Sequence, residues 1–197
     1  MASVIVSALY VAAQMLADVG SLRIVTLLGM SVDGGTLVYP LTFTLRDMVH
    51  KLVGVRATRA LIWTAAGVNL VMAGLFWLIG RMPADMTVGP QVEFARVLAP
   101  VWRITMASIA AEVFAELLDT EAYQWWVTRV TRRYQWARVL VSNGVAIPLD
   151  SLLFCWLAFG GTMPVAEVWG IVLANVLIKG AMTVVGLPLI YAVKERV

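Results

Sequence analysis

Apolar positions run along this chain in long blocks that predict an all-α membrane protein with six transmembrane helices. A helix of roughly 20 apolar residues, rising about 1.5 Å per residue, crosses the hydrocarbon core of a bilayer. Five blocks meet this requirement approximately, and a sixth is shorter. They are residues 2–19, 36–51, 57–79, 97–118, 139–159 and 165–193, with 36–51 the short one.

The short second block has Pro40 near its start and ends in His50 and Lys51. Short, proline-interrupted segments line the substrate in many transporters. Proline in the first turn is also an ordinary way for a helix to begin, so the pattern leaves both interpretations open.

Between the blocks, three polar stretches are predicted to be loops without regular structure. Residues 20–35 contain a Gly34-Gly35 breaker, and residues 81–96 contain Pro83 and Pro90. Residues 120–138 interleave Trp and Tyr with arginines. In a chain this apolar, such a basic, aromatic loop indicates an anchor at the membrane interface rather than a nucleic-acid site.

Polar residues recur at helical spacing, so each predicted helix that carries them has one polar side. Interior carboxylates on such a side need cations, water or hydrogen-bond donors as partners, and a hydrogen-bonded seam between helices is an open alternative for the first helix. The polar sides are Ser7, Tyr10, Gln14, Asp18 and Ser21 on the first helix, Thr105, Ser108, Glu112, Glu116 and Asp119 on the fourth, and Asn175, Lys179 and Thr183 on the sixth.

The fifth helix carries a carboxylate, Asp150, near the middle of its apolar run. A charge at that depth costs on the order of 3 kcal/mol or more, which marks the position as functional. Pro148 lacks a backbone N–H and would bend the helix there. Four residues are predicted to share one face and to form a cavity wall: Asn143, Ile147, Asp150 and Phe154.

Lys179 in the sixth helix is as costly in the bilayer as Asp150. Pairing it with a carboxylate reduces both penalties. The sequence leaves the choice of partner open between Asp150 and a carboxylate of the fourth helix, such as Glu112.

Composition supports a single transmembrane domain over residues 1–197. Apolar residues make up 61% of the chain and charged residues 14%, against about 45–50% and 25% in soluble proteins. Basic residues concentrate on one side if the N-terminus is cytoplasmic, which predicts an inner-membrane protein with both termini in the cytoplasm. These residues are Arg46, Lys51, Arg56, Arg59, Arg129, Arg132, Arg133, Arg138, Lys194 and Arg196.

A set of residues spread over most of the chain resembles the queuosine precursor transporters, a vitamin-uptake-transporter-like family. Two positions differ from that family's pattern, the Ala17-Asp18 pair and Asn175. The residues that carry the resemblance are Tyr39-Pro40-Leu41-Thr42-Phe43, Asp47, Gly54, Leu118-Asp119, Tyr123, Ser142, Asp150-Ser151, Phe154, Ala158-Phe159 and Lys179.

The resemblance implies a six-helix importer of 7-deazaguanine bases that serve the tRNA nucleoside queuosine, with a fold like that of the substrate-binding subunits of energy-coupling-factor transporters. A guanine-like base presents N–H donors, acceptors and a flat face. Its site therefore calls for carboxylates, an amide or ammonium group and an aromatic ring. The candidate substrate-binding residues are Gln14, Tyr39, Phe43, Glu112, Glu116, Asn143, Asp150, Phe154, Asn175 and Lys179.

The sequence predicts a deazapurine substrate and the lipid bilayer as partners, a possible homo-oligomer, no cofactor and no nucleic acid. The alternative function is a substrate-binding subunit of an energy-coupling-factor transporter for another vitamin-like molecule. In that case an ATPase module would be a further partner. The small-residue spacing of Ala8 and Ala12 on the first helix is the feature that fits this alternative. An enzyme is disfavoured, because His50 is the single histidine and no nucleophile or metal motif is present.

Overall fold

Seven α-helices make up most of the residues that the computed structural model describes, which are 1–98, 102–131 and 134–192. Two short strands form a hairpin between the first two helices, and 3-10 turns occupy Gly34–Leu37 and Leu187–Ala192. The elements are α1 (Ala2–Gly20), β1 (Ile24–Leu27), β2 (Met30–Asp33), α2 (Tyr39–Val53), α3 (Val55–Arg81), α4 (Val92–Leu98), α5 (Trp102–Arg129), α6 (Gln135–Phe159) and α7 (Val165–Gly186).

Four helices, α1, α3, α6 and α7, are long and apolar enough to cross a membrane. Their outward surfaces carry large exposed apolar side chains such as Leu9, Trp63, Val71, Leu157 and Leu173. Polar side chains are collected inside instead, as expected where lipid replaces water around the protein. The prediction of a helical membrane protein is therefore confirmed, whereas six crossings stay a prediction.

Helix α2 is short and lies inside the bundle. It has 15 residues, about 22 Å at 1.5 Å per residue, and nearly all of them are buried against α1, α3, α5 and α7. Pro40 is in the first turn, where a missing N–H leaves no helical bond unmade. Gly54, at φ 84°, occupies a left-handed conformation that lets the chain turn directly into α3.

The predicted loop over residues 120–138 is wrong. Helix α5 continues to Arg129 and α6 begins at Gln135, so most of this stretch is helical. The extra turns of α5 have a buried side of their own. Tyr123 is buried, and its ring lies 4.4 Å from the ring of His50 and 4.5 Å from the guanidinium of Arg138. Tyr123 and Arg138 therefore pack between helices, whereas Trp125, Tyr134 and Trp136 are about half exposed, and their role as an anchor at the membrane interface stays a prediction.

The other two predicted loops also contain regular structure. Residues 20–35 include the antiparallel hairpin, with Ile24 paired to Asp33 and Leu27 to Met30. Leu28 and Gly29 both have positive φ, as a tight two-residue hairpin turn requires. Residues 81–96 include the start of α4, a helix of seven residues. Helices this short and isolated strand pairs give little periodic signal in a sequence.

Helix α6 is continuous across Pro148, and α7 ends at Gly186, where a 3-10 turn takes over from the predicted longer helix. Apolar side chains pack in three buried clusters. One surrounds Tyr10 and Val49, another surrounds Phe154 and Ile171, and the third includes Tyr39. The polar cavity described next is bordered by members of the second and third clusters.

Candidate functional site

A small cavity of about 20 Å³ lies among α1, the hairpin, α2, α5, α6 and α7. This is room for one or two water molecules, so a small-molecule ligand can enter only if the surrounding helices move apart. The side chains around it are charged, hydroxylic and aromatic. They are Ala17, Asp18, Ser21, Asp33, Tyr39, Ser108, Glu112, Asp150, Phe154 and Lys179.

Asp150 and Lys179 form a buried ion pair on one wall of this cavity. Lys179 Nζ donates to Asp150 Oδ2 at 2.7 Å, and the two side chains are 5% and 3% exposed. Tyr39 Oη donates to Asp150 Oδ1 at 3.1 Å, and Lys179 Nζ lies 4.3 Å from the centre of the Tyr39 ring. Asp150 is therefore the partner of Lys179, a choice that the sequence left open between Asp150 and Glu112.

Asp33 forms a second wall, at the point where the hairpin meets the helices. Its carboxylate accepts hydrogen bonds from Ser21 Oγ, Thr36 N and Thr36 Oγ1 at 2.7, 3.1 and 2.7 Å. Asn175 Nδ2 donates a fourth, at 2.7 Å. Four neutral donors satisfy this buried carboxylate, so Asp33 fixes the hairpin to α1 and α7.

The third wall carries two carboxylates, Asp18 and Glu112, and neither forms an ion pair among the described residues. Ser108 Oγ lies 2.5 Å from Asp18 Oδ1 and 3.1 Å from Glu112 Oε1, so one hydroxyl proton serves both groups. With its amide nitrogen facing Glu112, Gln14 donates to Glu112 Oε2 at 2.6 Å. In the same orientation Gln14 Oε1 accepts from Tyr10 Oη at 3.0 Å, and the Tyr10 hydroxyl is also hydrogen-bonded to Glu116.

Further along α5, a group of charges closes the bundle on the side away from the hairpin. Arg46 is fully buried and forms ion pairs with Asp47, at 2.9 Å, and with Asp119. Its guanidinium also lies 5.2 Å from the centre of the Phe43 ring. Arg46 and Arg138 are therefore interior residues, although the sequence counted both among the basic residues of the cytoplasmic side.

Five of the ten candidate residues line the cavity, namely Tyr39, Glu112, Asp150, Phe154 and Lys179. Four others do not line the cavity but contact neighbouring side chains. Gln14 contacts Glu112, and Glu116 contacts Tyr10. Phe43 packs edge-on to Tyr39 at 5.3 Å, and Asn175 bonds Asp33. Their roles in binding substrate stay predictions.

Asn143 lies elsewhere, so the predicted single cavity face of α6 is divided between two cavities. Asn143, Ile147 and Pro148 line a separate pocket between α6 and α7, together with Thr183. The amide of Asn143 and the hydroxyl of Thr183 have no hydrogen-bond partner among the described residues. The gap beside Pro148 is where the carbonyl of Gly144 lacks its helical N–H partner.

Asp18, Ser21, Asp33 and Ser108 line the cavity but were not among the candidate site residues. Asp18, Ser21 and Ser108 could have been found, because they lie on the polar sides of the first and fourth predicted helices. Asp33 could not be found from helical spacing, because it lies in a stretch that the sequence predicted to be a loop.

A family model described as "Putative vitamin uptake transporter" matches residues 33–193. The chain belongs to this family. It is also 27% identical over 188 residues to a protein of Bacillus subtilis (strain 168) named "Probable queuosine precursor transporter", a match that covers 92% of this chain and 80% of that protein. No solved structure matches the chain.

Membership in this family confirms the resemblance read from the sequence and makes the protein a transporter rather than an enzyme. The apolar helices and the relative together support a membrane protein that crosses the bilayer several times. Among the described residues, no group of three or more His, Cys, Asp or Glu side chains could hold a metal ion. The likeness to energy-coupling-factor subunits stays a prediction.

Proposed function

We propose that this protein imports a queuosine precursor, a 7-deazaguanine base, across the cytoplasmic membrane. The observation that carries the proposal is the cavity itself, where a lysine, carboxylates and an aromatic ring converge between apolar helices. Ionisable residues at membrane depth mark substrate pathways in transporters. The name of the Bacillus subtilis relative supports this choice of substrate.

The cavity offers a separate partner for each part of such a base. Asp150 is already paired with a cation, unlike Glu112, so we assign to Asp150 the role of holding Lys179. The remaining protons of the ammonium group are then available to the carbonyl of the base. Glu112 accepts the adjacent ring and 2-amino N–H groups, because a carboxylate takes two parallel donors well.

Phe154 is the ring on which the base stacks. It lines the cavity and is held in place by Phe159, whose ring centre lies 5.7 Å away in an edge-on arrangement. Tyr39 is less available for stacking, because Lys179 lies over its ring.

We further propose that α2 and α5 complete six crossings, which places both termini on one side of the membrane. The exposed basic residues Arg56, Arg59 and Arg129 identify that side as the cytoplasm. The hairpin and the cavity then lie in the outer half of the membrane, and the ion pairs of Arg46 close the inner half. In this orientation, entry of substrate from outside requires the outer half of the bundle to open around the small cavity. Alternating access would require the inner ion pairs to separate.

The test is binding to detergent-purified protein, with guanine, the cyano- and aminomethyl-deazaguanines and queuine as ligands. Substitution Glu112→Gln puts a donor where the base also donates. An unmatched buried donor of this kind costs about 1–3 kcal/mol, or roughly tenfold to a hundredfold in affinity. Deazapurines without the 2-amino group should bind the wild type more weakly and lose less in the variant.

Trp63→Phe serves as the control, since Trp63 is 60% exposed on the outer surface of α3 and should leave affinity unchanged. Absence of binding by every deazaguanine in the panel would refute the proposed substrate. An equal loss in Glu112→Gln for bases with and without the 2-amino group would refute the role of Glu112 only.

A further inference from the structure

Asn143 and Thr183 line a pocket between α6 and α7 that has no part in the proposed function. It measures about 200 Å³, against about 20 Å³ for the cavity at the ion pair. A protein cavity of about 150 Å³ is large enough to hold benzene. The pocket can therefore hold a group of several non-hydrogen atoms without any movement of the helices.

The mouth of this pocket opens on the apolar outer surface of the protein. Gly144 and Pro148 line the pocket and are exposed. Side chains next to them on the same surface are also exposed, such as Val145 on α6 at 48% and Val184 on α7 at 55%. In a membrane this surface contacts hydrocarbon, where water is not available as a hydrogen-bond partner. A molecule that fills the pocket therefore comes from the bilayer.

The floor of the pocket carries hydrogen-bonding groups that are not satisfied. Asn143 and Thr183 are 1% and 2% exposed, and neither the amide nor the hydroxyl has a hydrogen-bond partner among the described residues. The carbonyl of Gly144 lacks its helical donor because residue 148 is a proline. Such groups are costly when buried without partners, and together they present both donors and acceptors. They call for a ligand that also donates and accepts.

The surroundings of the pocket favour an uncharged ligand. Among the described residues that line it, none is ionisable. Asn143 lies about 6 Å along α6 from the central residue of that helix, Ile147. Phospholipid head groups begin only about 15 Å from the middle of a bilayer. A charged head group therefore stays too far out to reach the amide, whereas a lipid without one can enter to this depth.

We propose that this pocket binds the polar end of an uncharged acylglycerol, a lipid with ester carbonyl groups and a free hydroxyl. Asn143 Nδ2 donates to an ester carbonyl. The lipid hydroxyl donates to the carbonyl of Gly144 and accepts from Thr183 Oγ1. The acyl chains leave through the mouth of the pocket, past Pro148, into the bilayer.

The position of the pocket connects its ligand to the buried ion pair. Gly180 lines the pocket and directly follows Lys179, and Pro148 lies two residues before Asp150. A bound lipid therefore contacts both helices that carry the pair. The inference concerns a different ligand from the transported one and does not depend on the proposed substrate.

The test is native mass spectrometry of the detergent-purified protein titrated with three lipids. Dioctanoylglycerol is the probe. Its dioctyl ether analogue keeps the hydroxyl and the chains but has no carbonyl oxygens, and dioctanoylphosphatidylglycerol keeps the carbonyls but replaces the hydroxyl by a charged head group. We expect the wild type to bind dioctanoylglycerol about tenfold more tightly than either analogue, the usual effect of leaving one buried hydrogen-bonding group unpaired.

Three variants locate the binding site. Asn143→Leu should reduce the preference for the ester over the ether to less than about twofold, and Thr183→Val should weaken dioctanoylglycerol by about threefold or more. Asn69→Leu is the matched control. Asn69 is fully buried in α3, its amide also has no hydrogen-bond partner among the described residues, and it lies outside the pocket, so affinity and preference should not change. Each variant removes a group that had no partner, so all three should fold.

Equal affinity of the wild type for the ester and the ether would overturn the inference, since no carbonyl would then be recognised. An unchanged preference in Asn143→Leu would also overturn it, because the lipid would then bind elsewhere. Binding of the phospholipid as tightly as dioctanoylglycerol would refute an uncharged ligand. If the pocket takes up water only, none of the three lipids will show saturable binding, and the inference fails.

Discussion

Replacing Lys179 by methionine removes the cation from a buried ion pair and keeps a side chain of similar length. Asp150 would then lose its 2.7 Å bond to Lys179 Nζ and retain only Tyr39 Oη as a donor. Both side chains of the pair are at most 5% exposed, so water compensates poorly for the lost partner. Removing one partner of a buried ion pair typically lowers the free energy of unfolding by about 3–5 kcal/mol.

For a chain of this size, that loss corresponds to a fall of roughly 6–20 °C in melting temperature. The measurement is thermal unfolding of the purified protein in detergent, followed by intrinsic tryptophan fluorescence. The double variant Lys179→Met with Asp150→Asn removes both charges and keeps an acceptor for Tyr39. It should recover most of the lost stability, because the unpaired charge, rather than the missing bond, causes the main penalty.

Arg59→Met is the matched control, since it removes a cation from a pair with Glu121 whose side chains are 46% and 54% exposed. Exposed pairs contribute about 0–1 kcal/mol, so its melting temperature should stay near that of the wild type. If Lys179→Met were as stable as the wild type, the pair would not be buried and the reasoning would fail. If Glu112→Gln rescued Lys179→Met and Asp150→Asn did not, the partner in the membrane would be Glu112.

Two further predictions concern topology and the hairpin. Cysteines at Arg56 and Arg129, both exposed, should react with a membrane-impermeant reagent only after cells are permeabilised, and labelling in intact cells would reverse the proposed orientation. Gly35→Ala should destabilise the docked hairpin by about 1–3 kcal/mol, because its Cβ would lie 2.3 Å from the carbonyl oxygen of Ala17. Gly67→Ala in α3 has open space around its Cβ and should be neutral or slightly stabilising in the same melting assay, so equal losses in the two variants would refute the close approach at Gly35.

The sequence alone was sufficient for the class of the protein, its long helices and the residues that turn inward. Helical periodicity is a local property, so it predicted that Glu112 and Glu116 share a side of one helix and that Asn175 and Lys179 share a side of another. All four are buried in the structure. An apolar block long enough to span a bilayer is equally local, which is why α1 and α3 begin and end within two residues of their predicted bounds.

The tertiary structure decided which polar sides meet. Periodicity gives the direction of a side chain around its own helix but not the distance to another helix, so Lys179 could have met Glu112 as well as Asp150. Asn143 was expected in the cavity because it shares a side with Asp150, yet the two lie almost two helical turns apart and reach different gaps. Asp33 lies at the site because the hairpin strands pair and because its carboxylate accepts four hydrogen bonds. Strand pairing and these hydrogen bonds do not depend on a repeating pattern in the sequence.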